Sequence, residues 1–151
     1  MQARLDAYRT APDDINAVLA LESHVKASGL EKSLIELVKI RASQINGCAY
    51  CLEMHTREAR AAGEAEERIH LLSAWRESSF FSERERAALG WTEVLTLVAE
   101  THAPDGDYAE VEKNFSPSET VSLTLLIGTI NLWNRIAVGF RTQHPSRKFP
   151  T

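Results

Sequence analysis

Cys48 and Cys51 stand three residues apart, and His55 follows four residues later. On an α-helix those offsets place the three side chains along one side. Two sulfurs at a helix start can come close enough for a disulfide. The same location supplies unpaired backbone amides and positive partial charge, and both favour thiolate over thiol. Thiolate is the nucleophile, and a free cysteine is only about a few per cent ionised near neutral pH. His55, one turn beyond Cys51, can accept its proton directly or through a water. Glu36 belongs to the preceding helix, and an antiparallel return past Asn46-Gly47 brings its carboxylate toward His55. There it would orient the ring and raise its basicity, the order of orienter, base and nucleophile found in covalent catalysis.

Other chemistries fit the same residues less well. Cys-x-x-Cys-x-x-x-His could supply three zinc ligands, but structural zinc wants four and usually a second knuckle. No second cysteine pair exists, and no further histidine stands at matching spacing. The cysteines could also be inert core residues, since free cysteine is often buried; a histidine in phase with them argues against that. His24, His70, His102 and His144 have no partners at catalytic or ligand spacing, and Trp75, Trp91 and Trp133 read as core or interface. The seven glycines are scattered and form no phosphate loop. No cofactor and no metal is expected.

The elements that must hold this set are helices. The 151 residues suit one domain, with 44% apolar and 25% charged side chains, close to the globular average. Net charge is −4, which disfavours nucleic acid; the one basic cluster is Arg147-Lys148 near the C-terminus. The N-terminus lacks an apolar signal region. The longest charge-free apolar stretch, Val121 to Asn134, falls short of the roughly 20 residues of a membrane span. The expectation is a cytoplasmic protein without membrane contact.

Pro12-Asp13-Asp14 opens a helix with Ile15, Val18, Leu19 and Val25 in phase, and Gly29 is its stop. A second helix runs from about Glu31 to Ile45 and breaks at Asn46-Gly47. The third carries Cys48 or Ala49 to about Ala62, and a fourth spans about Glu64 to Glu77. Ser82-Glu83-Arg84-Glu85 is a capping box opening a helix to about Glu100. Pro104, Asp105 and Gly106 read as a loop before a short helix over Tyr108 to Lys113. Ser116-Pro117-Ser118-Glu119 is a second capping box, and its helix continues to about Phe140, apolar nearly all round. Such a helix is normally buried on all sides, which in a small chain implies cover by a neighbouring subunit. Ser33 precedes Ile45-Asn46 by the offset that Ser118 precedes Ile130-Asn131, a weak internal echo that two matched helical hairpins would explain. No strand alternation appears. The expected fold is a single all-α bundle of six to seven helices.

Glu36, eleven residues, Cys48-x-x-Cys51, three residues, His55 resembles the motif of the AhpD-like alkylhydroperoxidases of the carboxymuconolactone decarboxylase superfamily. The string Ile35 to Cys48 and the later Ser82 to Leu89 with Trp91-Thr92-Glu93 resemble the same family, so the likeness covers roughly residues 15 to 140. It implies a thiol-dependent peroxidase. Cys51 would attack the peroxide and become a sulfenic acid, and Cys48 would resolve it as a disulfide. His55 would relay a proton toward Glu36. A dithiol reductant, either a lipoyl group or a thioredoxin-like protein, would restore the pair. Similar proteins form trimers or hexamers. Some members carry histidine where this chain has Tyr50, a difference that bears on peroxidase strength and on the donor; Tyr50 reads mainly as a packing residue. Members acting as carboxymuconolactone decarboxylases lack the cysteine pair. The competing reading is a non-enzymatic thiol redox sensor or a disulfide oxidoreductase module.

Overall fold

A computed structural model describes residues 2–144; Met1 and the basic pair Arg147-Lys148 lie outside the described residues. Those residues contain helices and no strand, as the periodicity requires. The long helices are α2 (Pro12–Lys26), α3 (Lys32–Asn46), α4 (Ala49–Ala61), α6 (Glu83–Thr96), α8 (Asp105–Asn114) and α9 (Pro117–Phe140). Three shorter helices join them: α1 (Ala7–Thr10), α5 (Glu66–Leu71) and α7 (Val98–Thr101).

The helix total exceeds six to seven because α1 precedes the first expected helix and two expected helices break. The fourth continues from α5 into a 3-10 segment, Leu72–Glu77, kinked at Ala74. The helix opened by Ser82 stops at Thr96, and α7 begins beyond Leu97. Thr101 Oγ1 donates to the Val94 carbonyl at 2.8 Å, giving that carbonyl a partner near the break. The Pro104-Asp105-Gly106 stretch also differs from expectation. It starts α8, because Asp105 and Asp107 in the first turn complement the helix dipole and outweigh one glycine. Both capping boxes form as read, Ser82 with Glu85 and Ser116 with Glu119.

Helix α3 is the axis of the molecule and packs on α4, α6 and α9. Leu34, Ile35, Leu37, Val38, Ile40 and Ala42 are all buried along it. Each Leu, Ile or Val so enclosed contributes about 1.5–3 kcal/mol of hydrophobic stabilisation. Its end is set by Gly47, whose φ of +64° is the left-handed conformation that glycine adopts without strain. There the Cys48 N–H donates to the Ser43 carbonyl (3.0 Å), a Schellman-type stop. The chain turns at once and α4 returns antiparallel, with Cys48 as its N-cap.

Helix α9 buries one face through Leu123, Leu126, Ile127, Ile130 and Asn134 and leaves Val121, Leu125, Leu132 and Val138 exposed. By length and composition alone it could cross a membrane; its buried face packs against α3 and α6, as a core helix does. Asn46 Nδ2 donates to Asn131 Oδ1 (3.0 Å) and to Asn134 Oδ1 (2.8 Å), joining the end of α3 to the second half of α9.

Candidate active site

Cys48 and Cys51 are joined as a disulfide, with Cα atoms 5.4 Å apart. The fold brings them together simply: one is the N-cap of α4 and the other lies in its first turn. The Cys51 N–H donates to Cys48 Sγ at 3.3 Å, so the sulfur satisfies an orphan amide as a cap side chain would. Both cysteines are buried, packed with Ala42, Ile130 and Ala137 of the flanking helices.

His55 follows one turn later and is also buried. Its Nδ1 lies 2.9 Å from Glu36 Oε2, the contact that the antiparallel α3–α4 hairpin promised. Glu58 Oε2 lies 3.6 Å from the same nitrogen. With Glu36 accepting from Nδ1–H, Nε2 is the nitrogen left to take a thiol proton.

Cys51 and His55 share the wall of a cavity of about 170 Å³, which Tyr8, Tyr50, Met54 and Trp133 also line. Cys48 borders a different cavity, together with Gly47, Ala49 and Arg141. The two sulfurs therefore stand in unlike surroundings: one shares a cavity wall with an imidazole, the other sits at the cap.

Two residues of this site carry no signature in the sequence. Glu22 on α2 lines the Cys51 cavity, and its Oε1 accepts a hydrogen bond from Lys39 Nζ. Lys39 is fully buried, three residues after Glu36 on α3. A buried ammonium needs such a partner. Burial pushes the Glu22 carboxyl up, but the Lys39 hydrogen bond and charge, with Lys26 and His55, hold it below the ordinary carboxylate value. Glu22 Oε2 is buried without a hydrogen-bond partner. Only the folded chain, which sets Glu22 of α2 against Lys39 of α3, reveals this pair; no spacing within either helix could have shown it.

Tyr50 is half-buried, packs on the disulfide cluster and lines both cavities. Trp75 and Trp91 are core residues as read, whereas Trp133 stacks on Tyr8 at the cavity wall. His70 is exposed and pairs with Glu66 at 3.3 Å, away from the disulfide. Among the described residues, the group that could meet at one metal ion is Glu36, His55 and Glu58, whose ligand atoms lie within 4.8 Å of one another. Neither cysteine belongs to it, so the zinc-clip arrangement gains no geometric support.

The carboxymuconolactone decarboxylase family model matches residues 12–94. The chain is 40% identical to the uncharacterized protein YdfG of Bacillus subtilis over 147 residues, 97% of this chain and all of that one. A crystal structure from Agrobacterium tumefaciens, of a protein of unknown function described as a candidate antioxidant defence protein AhpD, superposes with a TM-score of 0.94. It is 49% identical, and the match covers 97% of this chain and 100% of that one. The debrominase Bmp8 shares the fold alone, with a TM-score of 0.78 at 19% identity over 89% of this chain and 73% of that one. Its all-helical fold, its paired cysteines and these likenesses together establish that the chain belongs to the carboxymuconolactone decarboxylase family, as an AhpD-like member.

Proposed function

We propose that the protein is a thiol-dependent peroxidase that reduces organic hydroperoxides through the Cys48–Cys51 pair. The observation that carries this reading is the shared cavity: Cys51 and His55 line it together, Glu36 holds Nδ1 of that histidine, and Cys48 is already within bonding reach.

In the reduced protein His55 takes the Cys51 proton. The thiolate attacks the terminal oxygen of the hydroperoxide; an S–O bond forms as the O–O bond breaks. The alkoxide leaves with the proton from His55, giving an alcohol and a Cys51 sulfenic acid. The Cys48 thiol then attacks that sulfur. The S–S bond forms, the S–O bond breaks, and hydroxide leaves with the Cys48 proton as water. A dithiol donor, lipoyl or thioredoxin-like, passes two electrons to the disulfide and regenerates both thiols. No metal or organic cofactor enters this sequence.

The exposed apolar face of α9 supports self-association, with Val121, Leu125 and Val138 in the contact. The net charge of −4 supports a protein that works on small molecules rather than nucleic acid.

A steady-state assay with an alkyl hydroperoxide and a dithiol donor tests the reading. Cys51→Ser should abolish turnover, and Cys48→Ser should stop it after one equivalent, leaving a trapped sulfenic acid. Full activity of Cys51→Ser would refute the assignment.

A further inference from the structure

Helix α1 buries none of its residues, so core packing does not explain its position. It is tied down at its flank. The Arg4 N–H donates to the Phe140 carbonyl (2.9 Å), and Arg4 Nη1 donates to the Gly139 carbonyl (3.0 Å). These bonds lay the N-terminal segment against the end of α9 and bring Tyr8 onto Trp133. The two rings stack with centroids 6.4 Å apart and planes 10° from parallel. Both line the cavity that holds Cys51 and His55. Tyr8 is nevertheless half-exposed, at 50%. An aromatic ring kept at a cavity mouth, partly wet, offers apolar surface that something else can cover.

The parts of the site come from different stretches of chain. Glu36, Cys48, Cys51 and His55 all fall within the family-matched segment, residues 12–94, while Tyr8 and Trp133 lie outside it. The reacting groups belong to the shared segment, and this wall belongs to the flanks.

We propose that Tyr8 is a specificity-determining residue: stacked on Trp133, it gives the Cys51 cavity an aromatic wall that favours uncharged hydroperoxides with an aryl or branched apolar group over hydrogen peroxide. The proposal rests on the peroxidase reading of the dithiol and changes no step of it; only the organic group on the peroxide is specified. The size fits. An apolar cavity on the order of 150 Å³ takes up a benzene ring, and this one holds about 170 Å³. Rings already stacked leave no room for a third between them, so the ligand lies against their free faces and edges. Hydrogen peroxide has no apolar surface and gains nothing from that contact. Burial, followed by Tyr50 and Asp6, pushes the Tyr8 phenol above its ordinary value, so the wall stays neutral.

Two measurements test this on the intact protein. The first compares kcat/KM for cumene hydroperoxide and hydrogen peroxide in wild type, Tyr8→Ala and Tyr8→Phe. Because α1 contributes nothing to the core, Tyr8→Ala keeps the fold. It should lower the cumene-to-hydrogen-peroxide ratio about fivefold through KM, and Tyr8→Phe should preserve the ratio. An equal change for both peroxides in Tyr8→Ala, or none, overturns the proposal. The second measurement needs no turnover: cumyl alcohol is titrated into the oxidised protein and followed by tryptophan fluorescence. Wild type should bind it about fivefold more tightly than Tyr8→Ala. Equal binding by the two overturns the proposal. Loss of all turnover with that difference intact would refute the peroxidase reading and leave the aromatic wall standing.

Discussion

Glu22 and Glu93 are both largely withdrawn from water, with side chains 14% and 19% exposed, yet they are treated differently. Glu93 is saturated. Trp75 Nε1 donates to it at 2.8 Å, Arg41 Nε at 2.9 Å and Arg76 Nη2 at 2.8 Å. Burial pushes its carboxyl up, and these three donors outweigh that and hold it below the ordinary value. Glu22 is tied through Oε1 only, and its second oxygen has no partner. The first carboxylate fastens α3, α6 and the 3-10 segment together. The second lies in the wall of the Cys51 cavity. The same contrast runs through the molecule. Arg84 bonds Glu31, Glu119 and the Asn114 carbonyl, and Arg68 bonds Glu64 and Glu85, whereas the dithiol end keeps a cavity and an unsatisfied oxygen. These structural carboxylates are closed off, whereas Glu22 in the wall of the Cys51 cavity is left one partner short.

Substitutions at the two ends should therefore fail in different ways. At the dithiol end, Cys51→Ser should reduce steady-state turnover by about 10³-fold or more while the thermal midpoint stays within a few degrees. His55→Ala should cost about 10²-fold in kcat/KM, measured with an alkyl hydroperoxide, because the thiol loses its base. Glu36→Gln should cost about tenfold and alter the pH–rate profile, since the ring loses its orienting carboxylate but keeps its place. At the saturated end the order reverses. Glu93→Ala should destabilise by about 1–3 kcal/mol in denaturant melts, by stripping Trp75 and two arginines of their acceptor, with kcat/KM of the surviving fold little changed. A large kinetic loss without a stability loss at Glu93 would erase the distinction.

Acid should show the smallest effect. The Ser116 amide, then Arg84 and the Ser116 hydroxyl, lower the Glu119 carboxyl from 4.5 to about 2. A depressed folded value means that the unfolded chain takes the proton first as pH falls. The stabilisation is therefore complete above 4.5 and fades as pH drops toward 2. Solvent screens a side chain that is 35% exposed, so the loss is modest. Thermal melts across that range should show Glu119→Gln losing less stability on acidification than wild type; equal losses would contradict the assignment.

How far the sequence could be read depends on which contacts are local. The Cys48–Cys51–His55 face follows from offsets within one helix. Glu36 follows from a short antiparallel turn fixed by Gly47, so it too was within reach. Both capping boxes are four-residue signals and formed as read. The breaks at Ala74 and Leu97 were not legible, because tertiary packing overrides helix propensity there and no glycine or proline marks them. Glu22, Lys39 and the Tyr8–Trp133 stack were equally hidden. Each pairs residues far apart in the chain: Glu22 and Lys39 are 17 positions apart, and no periodic pattern ties Tyr8 to Trp133. Trp133 looked like one more apolar residue on α9 and is part of the cavity wall.

The most direct test adds one equivalent of an organic hydroperoxide to the fully reduced protein, then combines thiol titration with mass spectrometry. The expected result is rapid loss of both thiols, formation of an intramolecular Cys48–Cys51 disulfide and release of one equivalent of alcohol. Thiols that persist in the presence of peroxide, or a stable oxidised Cys51 with Cys48 still free, would contradict it.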